Sequence, residues 1–499
     1  MHLKPSPFRG RFALVLGLAA AAALVLSVAA GAVIPVVKIA TDPFTNSTSQ
    51  HKTIVEPDSY SFGSTIVSAA QFGRFFDGGA SDIGFATSQN NGSTWTSGTL
   101  PGITSFTNPP GPYARVSDAS VAFDARHGVW MISSLALNSS PSGVAVIVNR
   151  STNGGLTWGN PVTVHAAGAG EDLDKNWTVC DNTTTSPFYG SCYTTWDDFG
   201  HGNRFRAAYS RNGGLTWTQS TTPNQGVIGG QPLTLPNGNV VVPLDSADET
   251  QLGRSISTNG GVSYGTAFVI TNITAANDPG NIRSGPLPSA EISGDGKIYV
   301  VWEDCRFRVG CTTNDLVYTT STNGTTWTAV QRIPIDPVTS VVDHFIPGVG
   351  VDRNSSGASI RVGVTYYYYP NVVCTAATCQ LRVGFIKSSN GGTTWNAAID
   401  VAGPMTLSWL PNTSQGRMVA DYISTSYNSA GLAFGFFARA NAPTSGGTDC
   451  QTATPNCDQG LYTFATGQAA TAGTLTANDP VVYTAKPAPG RSAFHSHRN

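Results

Sequence analysis

Apart from one long apolar stretch near its start, the chain shows short runs in which apolar and polar residues alternate, the period of half-buried β-strands. The runs come in triplets. They fall at 53–59, 65–72 and 82–87; at 119–124, 129–137 and 144–149; at 175–180, 192–196 and 205–209; and at 231–235, 240–244 and 253–257. The fifth triplet is LPSAEI, KIYVVWED and DLVYTTS. The sixth is FIPGVGV, IRVGVTYYYY and QLRVGFIKS, and the seventh RMVADYIS, LAFGFFARA and LYTFATG. Six triplets end in a near-identical turn followed by another strand-like run. The turns are SQNNGSTW from Ser88, STNGGLTW from Ser151, SRNGGLTW from Ser210, STNGGVSY from Ser257, STNGTTW from Ser321 and SSNGGTTW from Ser388. The Asn amide can tie down the turn backbone, the glycines suit left-handed positions, and the closing Trp or Tyr is an apolar wedge.

Turns recurring at roughly 45–70 residues are near the period of propeller blades. Seven triplets therefore predict an all-β propeller of seven four-stranded antiparallel blades over residues 36–467. The seventh triplet lacks a fourth strand. Residues 36–41 are the natural donor, with 481–485 as the alternative, and pairing the two chain ends removes an exposed sheet edge.

The turn resembles the Asp box, or bacterial neuraminidase repeat, of sialidase-like β-propellers, whose pattern runs Ser-x-Asp-x-Gly-x-Thr-Trp. Asn stands at the Asp position in all six copies, and the Ser321 copy is one residue short. The resemblance implies a propeller, with six blades as the alternative count because sialidases have six. It also implies boxes that are structural and lie away from the active site.

Lys4, Arg9 and Arg11 precede an apolar run at 12–34, and Ala30-Gly31-Ala32 offers a small-residue cleavage site. Residues 1–35 are thus expected to be a signal peptide, or a membrane anchor if retained. The protein is expected to be secreted, or held at the outer face by that anchor. Eight cysteines form sequence-local pairs, Cys180 with Cys192, Cys305 with Cys311, Cys374 with Cys379 and Cys450 with Cys457, which suits an oxidising compartment. Residues 468–499 read as a low-complexity tail.

Only 12% of residues are charged and the net charge is -2, so nucleic acid is not expected as a partner, nor a membrane surface other than through the N-terminal segment. A monomer that meets an extracellular carbohydrate or glycoprotein is the expectation. No cofactor is expected, and no motif has metal-site spacing, although acidic loops leave room for a structural Ca²⁺.

The charges gather where strands 2–3 and 4–1 connect, on the face opposite the boxes. The resemblance implies three arginines clamping a carboxylate, a Tyr nucleophile with a Glu partner, and an Asp acid/base. The residues that could serve are Arg74, Arg283, Arg306 and Arg417 for the clamp, Tyr366 with Glu303, and Asp118 for the acid. Asp174, Asp197, Asp343 and His344 are further candidates for substrate contact. On this reading the chain recognises extracellular glycans and, if it is an enzyme, is an exo-acting glycoside hydrolase of sialidase type. The alternative is a propeller that binds without catalysis.

Overall fold

The computed structural model describes residues 34–443, 449–450 and 457–477. Of the expected signal or anchor only the last two residues are described, and the alternative closing strand at 481–485 lies outside the described residues. No helix among the described residues is long and apolar enough to cross a membrane.

The chain is all-β, built from antiparallel four-stranded sheets in sequence order. Val36–Ala40 (β1) leaves the N-terminal segment. The first strands of the first three sheets are Ile54–Phe62 (β2), Arg115–Asp124 (β3) and Leu173–Cys180 (β4). The fourth sheet has its first strand broken into Val227–Ile228 and Leu233–Thr234, where a continuous run at 231–235 is expected. The fifth, sixth and seventh sheets begin with Ser289–Ile292 (β5), Asp343–Val351 (β6) and Ser424–Tyr427 (β7). The seventh therefore starts later than the run from Arg417 suggests. Arg417 sits in a two-residue pairing of Asn412–Thr413 with Gly416–Arg417. The last strand of the seventh sheet, Gln459–Phe464 (β8), pairs with β1, Val36 opposite Phe464.

Adjacent first strands are stitched by polar side chains rather than by a ladder. Asp58 Oδ2 accepts the Val121 N–H at 2.7 Å, Ser120 Oγ that of Thr178 at 3.0 Å, and Ser289 Oγ that of Val349 at 3.0 Å. Ser59 Oγ lies 2.8 Å from both Ser424 Oγ and Ser426 Oγ, linking the first sheet to the last.

Five of the six boxes share one pattern of Ser and Asn bonds; in the shorter Ser321 copy, Ser321 Oγ accepts the Gly324 N–H at 2.8 Å and Asn323 Oδ1 those of Thr325 and Thr326 at 2.8 and 2.9 Å. In the Ser151 copy the Ser Oγ accepts the Gly155 N–H at 3.0 Å and the Asn153 Oδ1 accepts the Thr157 N–H at 3.0 Å. The Asn153 amide donates to Thr157 Oγ1 at 2.8 Å, and Trp158 Nε1 donates to the Gly155 carbonyl at 3.1 Å. Gly154 and Gly155 have φ of 77° and 79°, a region that side chains resist. The box aromatic packs against the preceding sheet: Trp158 on Phe85, Tyr264 on Phe205 and Trp395 on Tyr318.

All four local disulfides are formed and no free cysteine remains, as an oxidising compartment requires.

Candidate functional site: a charged cluster at the start of the first strands

Three first strands break their pairing at the same depth. The register slips between Val55 and Asp58, between Ser117 and Ser120, and between Asp174 and Trp177. At each slip one residue takes left-handed backbone: Glu56 at φ 55°, Asp118 at 49° and Lys175 at 51°. Non-glycine residues pay about 1–3 kcal/mol for such conformations, which persist where the surroundings enforce them. A fourth bulge, in β6, puts Ile346 at φ 49° and presents an apolar side chain instead.

The bulges bring charge together. Lys175 Nζ is 2.5 Å from Asp421 Oδ2. Arg283 holds the same carboxylate, Nε at 2.6 Å from Oδ1 with Nη2 on Oδ2, and its Nη2 stands 3.9 Å from Glu56 Oε1. Glu56 also accepts the Gln71 amide, and Arg74 Nη1 donates to Gln71 Oε1 at 3.1 Å and to the Gly79 carbonyl at 3.0 Å. Asp174 lies directly opposite Asp197 on the neighbouring strand. Tyr422, edge-on to Trp177 at 5.0 Å, donates its hydroxyl to the Ala119 carbonyl at 3.2 Å.

Burial sets the protonation pattern. Desolvation, then the charge on Asp421, pushes the Glu56 carboxyl up to about 7. Burial and Asp174 push Asp197 well above the ordinary carboxylate range. Burial also opposes charge on Asp421, but Arg283 and Lys175 outweigh it and hold that carboxyl well below its usual value. Desolvation and the neighbouring Arg283 bring Arg74 down to about 10. A strained, buried set containing both a depressed and a raised carboxylate is a typical feature of working sites. A half-open cleft lined by Asp118, Lys175, Trp177 and Tyr422 lies beside these charges.

Of the residues singled out in the sequence, Arg74, Asp118, Asp174, Asp197 and Arg283 meet here; the first four lie on strands, and Arg283 lies in the connection between the fourth and fifth sheets, as the sequence suggests. The others do not join them. Arg306 folds back on Asp304, Nε to Oδ1 at 2.8 Å, and reaches Thr271 Oγ1 at 3.2 Å on the outer strand of the fourth sheet. Arg417 pairs with Asp449 at 2.8 Å and donates to the carbonyls of Leu410 and Cys450. Glu303 Oε2 accepts the Ile346 N–H at 3.2 Å. Tyr366 is buried with its ring 5.6 Å from that of His344, and burial raises its phenol well above the ordinary value. Its charged neighbours are Asp336 and Asp400, so Tyr366 and Glu303 do not form the expected pair. Asp343 Oδ1 accepts the Asn314 N–H at 2.7 Å, and burial beside Asp278 raises its carboxyl.

The four guanidiniums expected to clamp a carboxylate are thus bonded to groups of the chain itself. His344 stands with Asp315 and Asp336 in a group whose ligand atoms could reach one cation. Arg308 and Arg332 already pair with both carboxylates at 2.6–2.8 Å, which matches their charge without a metal. Glu56, Asp421 and Tyr422 were not foreseen. The visible signal was charge inside strand-like runs, Glu56-Pro57-Asp58 and Asp421 within RMVADYIS.

No family model and no curated protein matches the chain. Among solved structures it is similar to a protein of unknown function from Dyadobacter fermentans, with 16% identity, coverage of 70% of this chain and 98% of that one, and a TM-score of 0.45. It is also similar to the Hadza microbial sialidase Hz136, with 14% identity, 64% of each chain and a TM-score of 0.45. The Trypanosoma rangeli sialidase follows with 14% identity, 70% of this chain, 60% of that one and a TM-score of 0.44. Likeness at this level says nothing about the chemistry of the charged cluster.

Proposed function

We propose that the chain is an exported propeller of seven blades, closed by β1, that recognises extracellular glycans at the charged cluster. Closure is supported by the β1–β8 pairing and by the serine contacts between the first and last sheets. The six turns fit neuraminidase-type repeats in which Asn takes the place of Asp. The observation that carries the site is the repeated bulge, which sets Glu56, Asp118 and Lys175 in strained backbone so that they face one another across three sheets.

Five carboxyls, Glu56, Asp118, Asp174, Asp197 and Asp421, share the site with Arg74, Lys175 and Arg283. With Lys175 and Arg283 paired to Asp421, Arg74 bonded to Gln71 and the Gly79 carbonyl, and carboxyls outnumbering cations, an uncharged glycan fits this balance better than an acidic one. Hydrolysis is a second reading, favoured by Glu56. A carboxyl poised near neutrality beside the Tyr422 phenol suits acid/base work. A glycan array combined with a panel of fluorogenic glycosides tests both. Binding or turnover that falls about tenfold or more in Asp118→Asn and Lys175→Met is the expected result. A chain that is inert on both panels sinks the reading.

A further inference from the structure

The first strands carry a second polar ring at their far ends, which the charged cluster does not use. Glu56 stands near the start of β2 and Tyr60 near its end, about 13 Å along at the rise of a strand. Around Tyr60 opens a cavity of about 550 Å³, within the range of ligand pockets. Tyr60, Thr234, Glu291 and Tyr427 line it from four first strands, and Asn182 and Arg353 from the turns that follow two more.

Among the described residues its charged ones are Arg353 and Glu291, joined Nη2 to Oε2 at 3.0 Å and leaving 28% and 20% of their side chains exposed. The Arg353 guanidinium also lies over the Tyr60 ring at 5.2 Å. Among the described residues no other hydrogen bond engages that guanidinium, so its remaining N–H groups are open to a ligand. Asn182 Nδ2 donates to the Tyr60 hydroxyl at 3.3 Å, which leaves the phenol proton to be given away. Thr183, Thr184 and Thr234 add hydroxyls to the wall.

An anion here would meet Glu291 and a cation would meet Arg353. An apolar ligand would leave both unpaired, at the usual desolvation penalty. A neutral polyol accepts from the guanidinium, donates to the carboxylate and can lay an apolar ring face on Tyr60, Phe62 or Tyr427. We propose that this cavity, at the end opposite the charged cluster, is a second site that binds a neutral saccharide.

Saturation-transfer NMR on the secreted protein, with methyl glycosides of glucose, galactose, mannose, fucose and N-acetylglucosamine as probes, tests this. At least one sugar is expected to bind, and Arg353→Ala to weaken it by about tenfold or more, as loss of a charge-assisted bond should. Thr184→Trp, at an exposed position on the rim, fills the cavity without disturbing a buried residue and is expected to abolish the signal. Absence of binding by every sugar overturns the proposal. So does binding that survives Thr184→Trp, and binding that disappears in Asp118→Asn but persists in Arg353→Ala, which assigns the sugar to the charged cluster instead.

Discussion

Trp95, which closes the first box, packs edge-on against Phe436 of the seventh sheet, with ring centroids 5.7 Å apart and planes at 75°. Every other box aromatic with a ring partner looks back to the sheet just before it in sequence. For the first box the sheet behind is the last one made. Phe436 is fully buried, so Phe436→Ala is expected to destabilise by about 3–5 kcal/mol, read from denaturant unfolding. A loss below about 1 kcal/mol would mean that the first and last sheets are not packed together in solution.

The box asparagine is predicted to be replaceable by aspartate but not by alanine. Asn153 Oδ1 accepts a backbone N–H, which fixes the amide so that its nitrogen donates to the Thr157 hydroxyl. In Asn153→Asp the hydroxyl can rotate and donate instead, so the change is expected to stay within about 0.5 kcal/mol. Asn153→Ala loses these bonds and the one that Asn153 Oδ1 accepts from the Ser151 hydroxyl, about 1–2 kcal/mol by thermal or denaturant unfolding. Equal effects of the two substitutions would refute the assignment.

Stability is predicted to decline between about pH 4 and 7. Burial raises Asp42 and Asp58 from the usual carboxylate value to about 7, and raises Glu56 to the same level. A group with its folded pKa above its unfolded one binds the proton more tightly when folded, so stability is lost as pH rises through that interval. Asp421 acts oppositely: its depressed carboxyl contributes stability above the ordinary Asp pKa and loses it as pH falls below. Asp58→Asn, which keeps an oxygen for the Val121 N–H, should flatten the decline in Tm from pH 5 to 7. A slope unchanged by that substitution would show that Asp58 titrates normally.

Breaking the buried ion pair is predicted to be severe, and replacing it mild. Arg283→Met leaves Asp421 with Lys175 alone, and about 3–5 kcal/mol is expected to be lost. Adding Asp421→Asn should recover part of that loss, since a neutral amide is cheaper to bury than a half-matched carboxylate. A double-mutant cycle with no coupling would contradict the bidentate contact.

How much was legible in the sequence depended on how local the physics is. The boxes could be read because Ser151, Asn153, Gly155 and Thr157 satisfy one another within a single turn. The disulfides were legible for the same reason. The cluster was legible only in part. Arg74, Asp118 and Arg283 stood out as charge in a chain with little of it, but the register slip at Glu56 depends on pairing across strands. Pro57 within β2 was the one local hint, since proline in a strand marks a bulge or an edge. Arg306 was misplaced because Asp304, two residues earlier, captures it at once. Tyr366 was misplaced because the glycine opposite, Gly384, leaves a slot that its ring fills, turning it into packing.

The pairing of Val36 with Phe464 also sets an order of events. The strand that is synthesised first has its partner synthesised last, so the clasp cannot shut until nearly the whole body has been delivered. Until then one flank of β8 has no neighbour, and the pairing joins residues near opposite ends of the described chain, a topology that slows folding. In return the two ends of the body lie side by side. The body could therefore be cut at an exposed box turn and rejoined at the clasp, giving a permuted chain with every sheet intact.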